Sequence, residues 1–206
     1  MLYFAHESLE YQNFLVSENR SSLISPQLYR RLISGKAKEL NVLDFGCGLG
    51  YVSTILATHL AEPYHIYGCD YQEDLLDEFW KRIVRRELKS ITPFFMPMRS
   101  RLLFPRWLPK MDHVIFSLSL SAVEDIFEVL KTIKSILKPE GRIHIIEWVD
   151  GAEEYLNKYF PKDQRLSPDK VRETLERTEF EIYENYSGLS NVYAISTRLK
   201  LHAGTD

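Results

Sequence analysis

A chain of 206 residues, 45% of them hydrophobic, is long enough to bury a globular core. Its formal charge of −3 and pI near 6.1 supply no basic field to draw it onto nucleic acid or anionic lipid. Cys47 and Cys69, in apolar or glycine-rich strand ends, read as reduced, buried cytosolic residues and not as a disulfide or metal pair.

Residues 1 to 34 read as helical, with Leu9, Tyr11, Phe14 and Leu15 able to form an apolar side. His6, Glu7, Glu10 and Glu18 interrupt any signal-peptide pattern over Met1 to Asn19. Ser25-Pro26 is a helix start, serine as N-cap and proline in the first turn, and Gly35 is placed to stop it. Val42 to Phe45 then reads as the buried end of a β-strand. Gly46, Gly48 and Gly50 form a turn, and Tyr51 to Leu60 has helical spacing. Alternating glycines allow positive φ and close approach of a ligand. The free N–H groups of the following helix favour an anionic or polar ligand beside the turn. This is a nucleotide-type pocket.

A second strand, Tyr64 to Asp70, ends in a carboxylate about 20 residues beyond the last glycine, where a nucleotide-binding α/β unit places the acid that accepts ribose hydroxyls. Asp70 could also cap the next helix, but the glycine turn upstream favours the ribose role. Tyr71 is placed to lay its ring against an adenine. Glu73 to Leu88 is a helix whose basic stripe (Lys81, Arg82, Arg85, Arg86, Lys89) reads as a solvated face opposite Leu76, Phe79, Ile83 and Leu88.

Further along, Ile91 to Met96 is a third strand and Pro97 to Lys110 an irregular, proline-bearing connection. Asp112 to Ser117 is the fourth strand. Ser121 with Glu124 has the spacing of a capping box for the next helix. Leu137 to Gly141 ends that helix, and Arg142 to Trp148 is the fifth strand. Residues 149 to 167 are a polar, aromatic-bearing insertion on the expected substrate side. Ser167-Pro168 opens a helix to about Arg177, and Phe180 to Tyr186 and Asn191 to Arg198 close the chain as two strands. The stretch His113 to Val123, the longest apolar-looking one, is far too short to cross a membrane. The expectation is a soluble, cytoplasmic protein.

The glycine spacing discriminates among nucleotides. A dinucleotide fingerprint is G-x-G-x-x-G, whereas here it is D-x-G-x-G-x-G, with Asp44 before the turn. That anion would repel a pyrophosphate and suit an ammonium group, which argues against a nicotinamide dehydrogenase. The stretch resembles motif I of the class I S-adenosylmethionine-dependent methyltransferases. The run from Asp112 to Glu147, with its Leu-Lys-Pro-Glu-Gly turn, resembles motifs IV to VI of the small-molecule members. Together the resemblance covers residues 42 to 198.

That resemblance implies an α/β fold: a doubly wound, seven-stranded, mostly parallel sheet of order 3-2-1-4-5-7-6, the last strand antiparallel, with helices on both faces. It implies one Rossmann-like domain over 1–206, with 1–35 a helical lid or packing segment, 36–198 the core and 199–206 a tail. The implied cofactor is S-adenosylmethionine, held by Asp44, Phe45, Gly46, Cys47, Gly48, Gly50, Asp70, Tyr71, Ser100 and Ser117. Asp44 would take the methionyl ammonium, the glycines would admit the cofactor, and Asp70 would hold the ribose. Many relatives carry an adenine-binding aspartate after the third strand. Here that place reads Met98-Arg99-Ser100-Arg101, with Ser100 or a backbone carbonyl as the substitute.

Methyl transfer from a sulfonium is an in-line displacement with an activated leaving group, so alignment supplies much of the rate. No catalytic residue is identified. Ser117, Ser119, Glu147, Trp148 and Asp150 lie near strand carboxyl ends, where open α/β sheets bind ligands. His113 and His144 read as internal structural residues. Ser117-Leu118-Ser119-Leu120 lacks the proline-bearing stretch of amino-methylating DNA, RNA and glutamine enzymes, and it lacks the metal-binding aspartate of catechol-type ones. No Cys/His cluster offers zinc. What is left is a small-molecule acceptor, with no nucleic-acid or membrane partner, and a monomer or homodimer. The alternative is a non-catalytic cofactor-binding module that acts as partner subunit or sensor.

Overall fold

The structure is a computed structural model and describes residues 13–14, 18–33, 39–61, 63–97, 102–158 and 160–200. Ser100, with Met98, Arg99 and Arg101, lies outside the described residues, as do His6, Leu9, Tyr11, Leu15 and Gly35.

The described helices and strands run α1 Glu18–Leu23, α2 Pro26–Leu32, β1 Leu40–Phe45, α3 Tyr51–Ala57, β2 Tyr64–Asp70, α4 Glu73–Arg85 and β3 Ile91–Phe95. They continue with β4 Met111–Ser117, α5 Ile126–Lys134, β5 Leu137–Trp148, α6 Pro168–Arg177, β6 Phe180–Tyr186 and β7 Val192–Leu199. The seven strands form one sheet of order β3-β2-β1-β4-β5-β7-β6. Pairs β1–β2, β1–β4, β2–β3 and β4–β5 are parallel, and β7 is antiparallel to both its neighbours. The expected topology holds in full.

Strand alternation divides the core in two. Val42, Ile66, Ile115 and Ile146 point to one face and pack with α2, α3 and α4 through Tyr29, Leu32, Val52, Leu56, Phe79 and Ile83. Leu43, Phe45, Val114, Phe116 and Ile145 point to the other and pack with α5 and α6 through Leu130, Ile133, Val171 and Leu175. Strands buried on both faces read as continuous apolar runs, which is why Val42-Leu43 and Val114 to Phe116 lack polar alternation. On α4, Leu76, Phe79 and Ile83 are buried, and Lys81, Arg85 and Arg86 are exposed. The basic stripe is a solvent face.

Both Ser-Pro helix starts follow local chemistry, and the expected capping box does not. Ser25 Oγ accepts from Gln27 N, Ser167 Oγ accepts from Lys170 N, and proline occupies the first turn of both α2 and α6. The capping box expected at Ser121 is not formed. Residues Leu120–Ala122 make a 3-10 turn, and α5 begins four residues later, with Asp125 Oδ1 accepting from Phe127 N and Glu128 N. The reason is competition: Ser121 is already engaged by a buried carboxylate from β5. Among the described residues no helix is long and apolar enough to cross a membrane.

Candidate functional site

The carboxyl ends of β1, β2 and β4 meet at the glycine turn. Gly46, Gly48 and Gly50 all have positive φ, at 69°, 50° and 75°. Two of them are glycine for the protein's own packing. A Cβ on Gly50 would lie 1.9 Å from the Phe79 ring of α4, and one on Gly46 would lie 2.5 Å from Ser119 Cβ. The space that a side chain would take there is filled by protein. The turn is tight because α4 and the loop after β4 press on it from both sides.

Two carboxylates hold the turn. Asp44, 1% exposed, accepts at Oδ2 from Ser53 N at 3.0 Å and Ser53 Oγ at 2.7 Å. It thereby satisfies an amide in the first turn of α3, where a negative charge is favoured. Burial pushes its carboxyl up to about 6, against the opposing pull of the Ser53 bonds and the nearby Arg20 charge. Asp70, at the end of β2, accepts from Gly48 N at 2.8 Å and from Gln72 N at 3.0 Å, one to each oxygen. Burial raises it too, and the amides that bind it oppose the rise. Asp70 is therefore not the cap of α4; the N-cap position is Gln72. It ties the glycine turn to β2, and the Tyr71 amide also acts on the carboxylate.

Cys47 and Cys69 are buried free thiols, pushed well up by burial. Gly46 N and Cys47 N both donate to Cys69 O, at 2.9 and 3.0 Å, which stitches the start of the turn to β2. Phe45 is buried against Phe116, ring centroids 4.8 Å apart. Tyr71, half-buried, edges a groove of about 440 Å³ with Gln72, Glu73, Asp74 and Phe95.

On the other side of the turn the loop after β4 is drawn in. Ser119 Oγ donates to Phe45 O at 2.6 Å, and Leu118, buried and at φ 61°, donates its amide to Ile146 O. Glu147 on β5 is fully buried and receives Leu120 N at 2.8 Å, Ser121 N at 3.1 Å and Ser121 Oγ at 3.0 Å. Desolvation pushes it up to about 7 despite these donors. Glu147 is thus a clamp on the loop and not a base facing solvent. Trp148, next to it, is 2% exposed, packs against Phe14, and has an indole N–H with no hydrogen-bond partner among the described residues. Asp150 is exposed.

Sequence reasoning missed Arg20. Its guanidinium, 4% exposed, donates from Nη2 to Ser117 Oγ at 2.9 Å and to Tyr29 OH at 3.3 Å, and it lies 4.3 Å from the centre of the Tyr51 ring. Tyr29 OH is 2.9 Å from the same Ser117 oxygen. No spacing rule connects residues 97 positions apart. Arg165 was missed for the same reason. It donates to the carbonyls of Val149, Asp150 and Phe160 and to Asn157 Oδ1, and so ties the described residues just after β5 to one another.

His113 and His144 are buried and stacked, His113 Nδ1 lying 2.9 Å from His144 Nε2, with His144 Nδ1 2.6 Å from Ser196 Oγ. They are internal, as expected. Among the described residues no group of His, Cys, Asp and Glu could hold a metal ion.

Residues 43–143 match a family model described as a methyltransferase domain. Over 127 residues the chain is 27% identical to a demethylmenaquinone methyltransferase of Listeria monocytogenes, an alignment that covers 60% of this chain and 52% of that protein. The chain thus spans about half the length of the curated relatives it first matches. An S-adenosylmethionine-dependent methyltransferase from Aquifex aeolicus superposes with a TM-score of 0.79 at 18% identity, covering 91% of this chain and 96% of that one. A glycopeptide N-methyltransferase complexed with S-adenosylhomocysteine superposes with a TM-score of 0.63 at 13% identity, covering 84% and 85%.

Proposed function

Since the chain belongs to the class I S-adenosylmethionine-dependent methyltransferase family, we propose that it transfers a methyl group from S-adenosylmethionine to a small organic acceptor. The observation that carries this reading is the Asp44–Gly50 turn closed by Asp70, at the carboxyl ends of three parallel strands. When bound, the cofactor supplies an activated methyl on a sulfonium, so the protein's task is alignment and exclusion of water.

The residues fit such a ligand. Asp70 presents a nearly buried carboxylate that binds the Gly48, Gln72 and Tyr71 amides, and of the roughly four lone-pair sites of a carboxylate one remains for a ribose hydroxyl. Asp44 presents an anion beside the turn, suited to an ammonium group reached directly or through water. Tyr71 borders the groove next to Asp70, where a flat base can lie against its ring. On the acceptor side, Arg165 holds the carbonyls of Val149, Asp150 and Phe160, and the Trp148 indole N–H is a donor for a polar group of the acceptor. The name of the curated relatives makes demethylmenaquinone a first acceptor to assay.

Calorimetric titration of S-adenosylmethionine and S-adenosylhomocysteine into wild type and Asp70→Ala tests the pocket. Wild type binds both at micromolar Kd. Loss of one charge-assisted acceptor weakens binding by about 10- to 100-fold, from the 1.5–3 kcal/mol of such a bond. Failure of wild type to bind either ligand overturns the cofactor assignment.

A further inference from the structure

Exposed apolar side chains gather at one edge of the sheet. Trp80 and Val84 stand one turn apart on α4, 54% and 61% exposed, and Phe95, 45% exposed, ends β3. β3 is first in the strand order, so among the described residues no strand pairs with its outer side. Between β3 and α4 runs a groove of about 350 Å³, lined by Leu76, Trp80, Pro93 and Phe95 together with Glu73 and Asp77. An apolar patch with a polar rim is the composition of an interaction site.

The charges of α4 say what covers it. Glu73, Asp74, Asp77 and Glu78 occupy its first half, and Lys81, Arg82 and Arg85 its second. Glu73, Asp77, Trp80 and Val84 fall at i, i+4, i+7 and i+11, one stripe of the helix, which Lys81 and Arg85 flank. Glu78 is paired with Lys81 within the helix, whereas Glu73 and Asp77 enter no ion pair among the described residues. A surface that is acidic at one end and basic at the other, with an apolar centre, is complementary to its own copy turned end for end.

We propose that two copies of this chain associate through α4, crossed antiparallel about a two-fold axis, with the partner's Trp80 and Val84 seated against the groove beside β3. Antiparallel crossing sets Glu73 and Asp77 against the partner's Arg85 and Lys81, and the two-fold axis makes each pair occur twice. Parallel crossing would oppose like charges. A lipid or nucleic-acid surface fits less well, because the acids of the same stripe would face its phosphates. Pro93 on β3 discourages extension of the sheet across that edge, so the copies meet through helices and not through strands. The helix face is only about 20 Å long, short for the roughly 1,000 Å² at which specific interfaces begin, so the dimer is weak and reversible.

Sedimentation velocity across the micromolar range tests this on wild type, on Glu73→Lys with Asp77→Lys, and on Lys81→Glu with Arg85→Glu. All four positions are exposed, and circular dichroism and Tm check that each variant folds as wild type does. Wild type passes from monomer to dimer as concentration rises. Each variant, its contact face now of one sign, associates at least about tenfold more weakly. An equimolar mixture of the two variants restores a dimer that holds one of each. Trp80→Asp removes the apolar centre and also gives a monomer. A wild type that stays monomeric throughout overturns the proposal, and its binding to phosphatidylglycerol vesicles would make α4 a lipid-facing surface instead. A dimer that survives in either charge variant places the contact elsewhere. Variants that fail to recombine when mixed overturn the antiparallel pairing.

Discussion

Single residues in this cleft do two jobs at once. Asp70, proposed to hold the ribose, also accepts from Gly48 N and Gln72 N, so on that proposal its replacement would loosen the turn as well as the ligand. Trp148 separates the two jobs more cleanly. Its indole N–H is buried with no partner among the described residues, a cost of about 1–3 kcal/mol that a hydrogen bond to a bound acceptor would relieve. Trp148→Phe keeps the ring and removes the donor. Steady-state kinetics of this variant should give an acceptor KM raised about three- to tenfold, the range of one neutral hydrogen bond, with S-adenosylhomocysteine affinity unchanged. An unaltered acceptor KM would reduce Trp148 to packing. The donor could be named from sequence as a strand-end tryptophan, but its lack of a partner could not, because that depends on Phe14 and on strands far away in the chain.

The strand–turn–helix elements owe their tightness to neighbours. Gly50 is left-handed at φ 75°, and a Cβ there would enter the Phe79 ring. Gly50→Ala therefore combines backbone strain with a steric conflict, and urea unfolding should show a loss above about 3 kcal/mol. Adding Phe79→Ala to it removes the conflict, so the double variant should be more stable than the sum of the single losses. Strict additivity would mean that α4 does not press on the turn. The helix starts give a milder check. Asp125→Ala removes the observed cap of α5 and should cost about 1 kcal/mol, or about 2–4 °C in Tm for a chain of this size. Ser25 and Ser167 were legible as caps because Ser-Pro acts locally. Ser121 was misassigned because Glu147, 26 residues on, had already taken its amide and hydroxyl.

Across the whole molecule, buried ionisable groups set opposing pH trends. His113 is lowered to about 4 and His144 well below 6.5, both chiefly by desolvation. Between pH 4 and 6.5 the unfolded chain therefore binds more protons than the folded one, and these histidines make stability rise with pH. Asp44 and Glu147 are raised to about 6 and about 7, so the folded chain retains protons there that the unfolded chain has lost, and these carboxyls make stability fall with pH through the same window. Urea unfolding from pH 4 to 7 should show a shallow dependence in wild type. In Glu147→Gln the falling contribution shrinks to that of Asp44 and stability climbs more steeply with pH. In His113→Leu the rising contribution shrinks and the slope turns down. Parallel curves for all three proteins would rule out this balance. The sequence alone determined the order of elements, the D-x-G-x-G-x-G turn, the acid at the end of the second strand and hence the family, because glycine conformation, strand burial and Ser-Pro caps act over a few residues. Only the tertiary structure decided that Phe79 and Ser119 fill the space left by two of the glycines, that Glu147 clamps the loop after β4, and that Arg20 meets Ser117 and the Tyr51 ring. Those contacts join residues tens of positions apart, and where such side chains meet depends on how the sheet brings β1, β4 and β5 together.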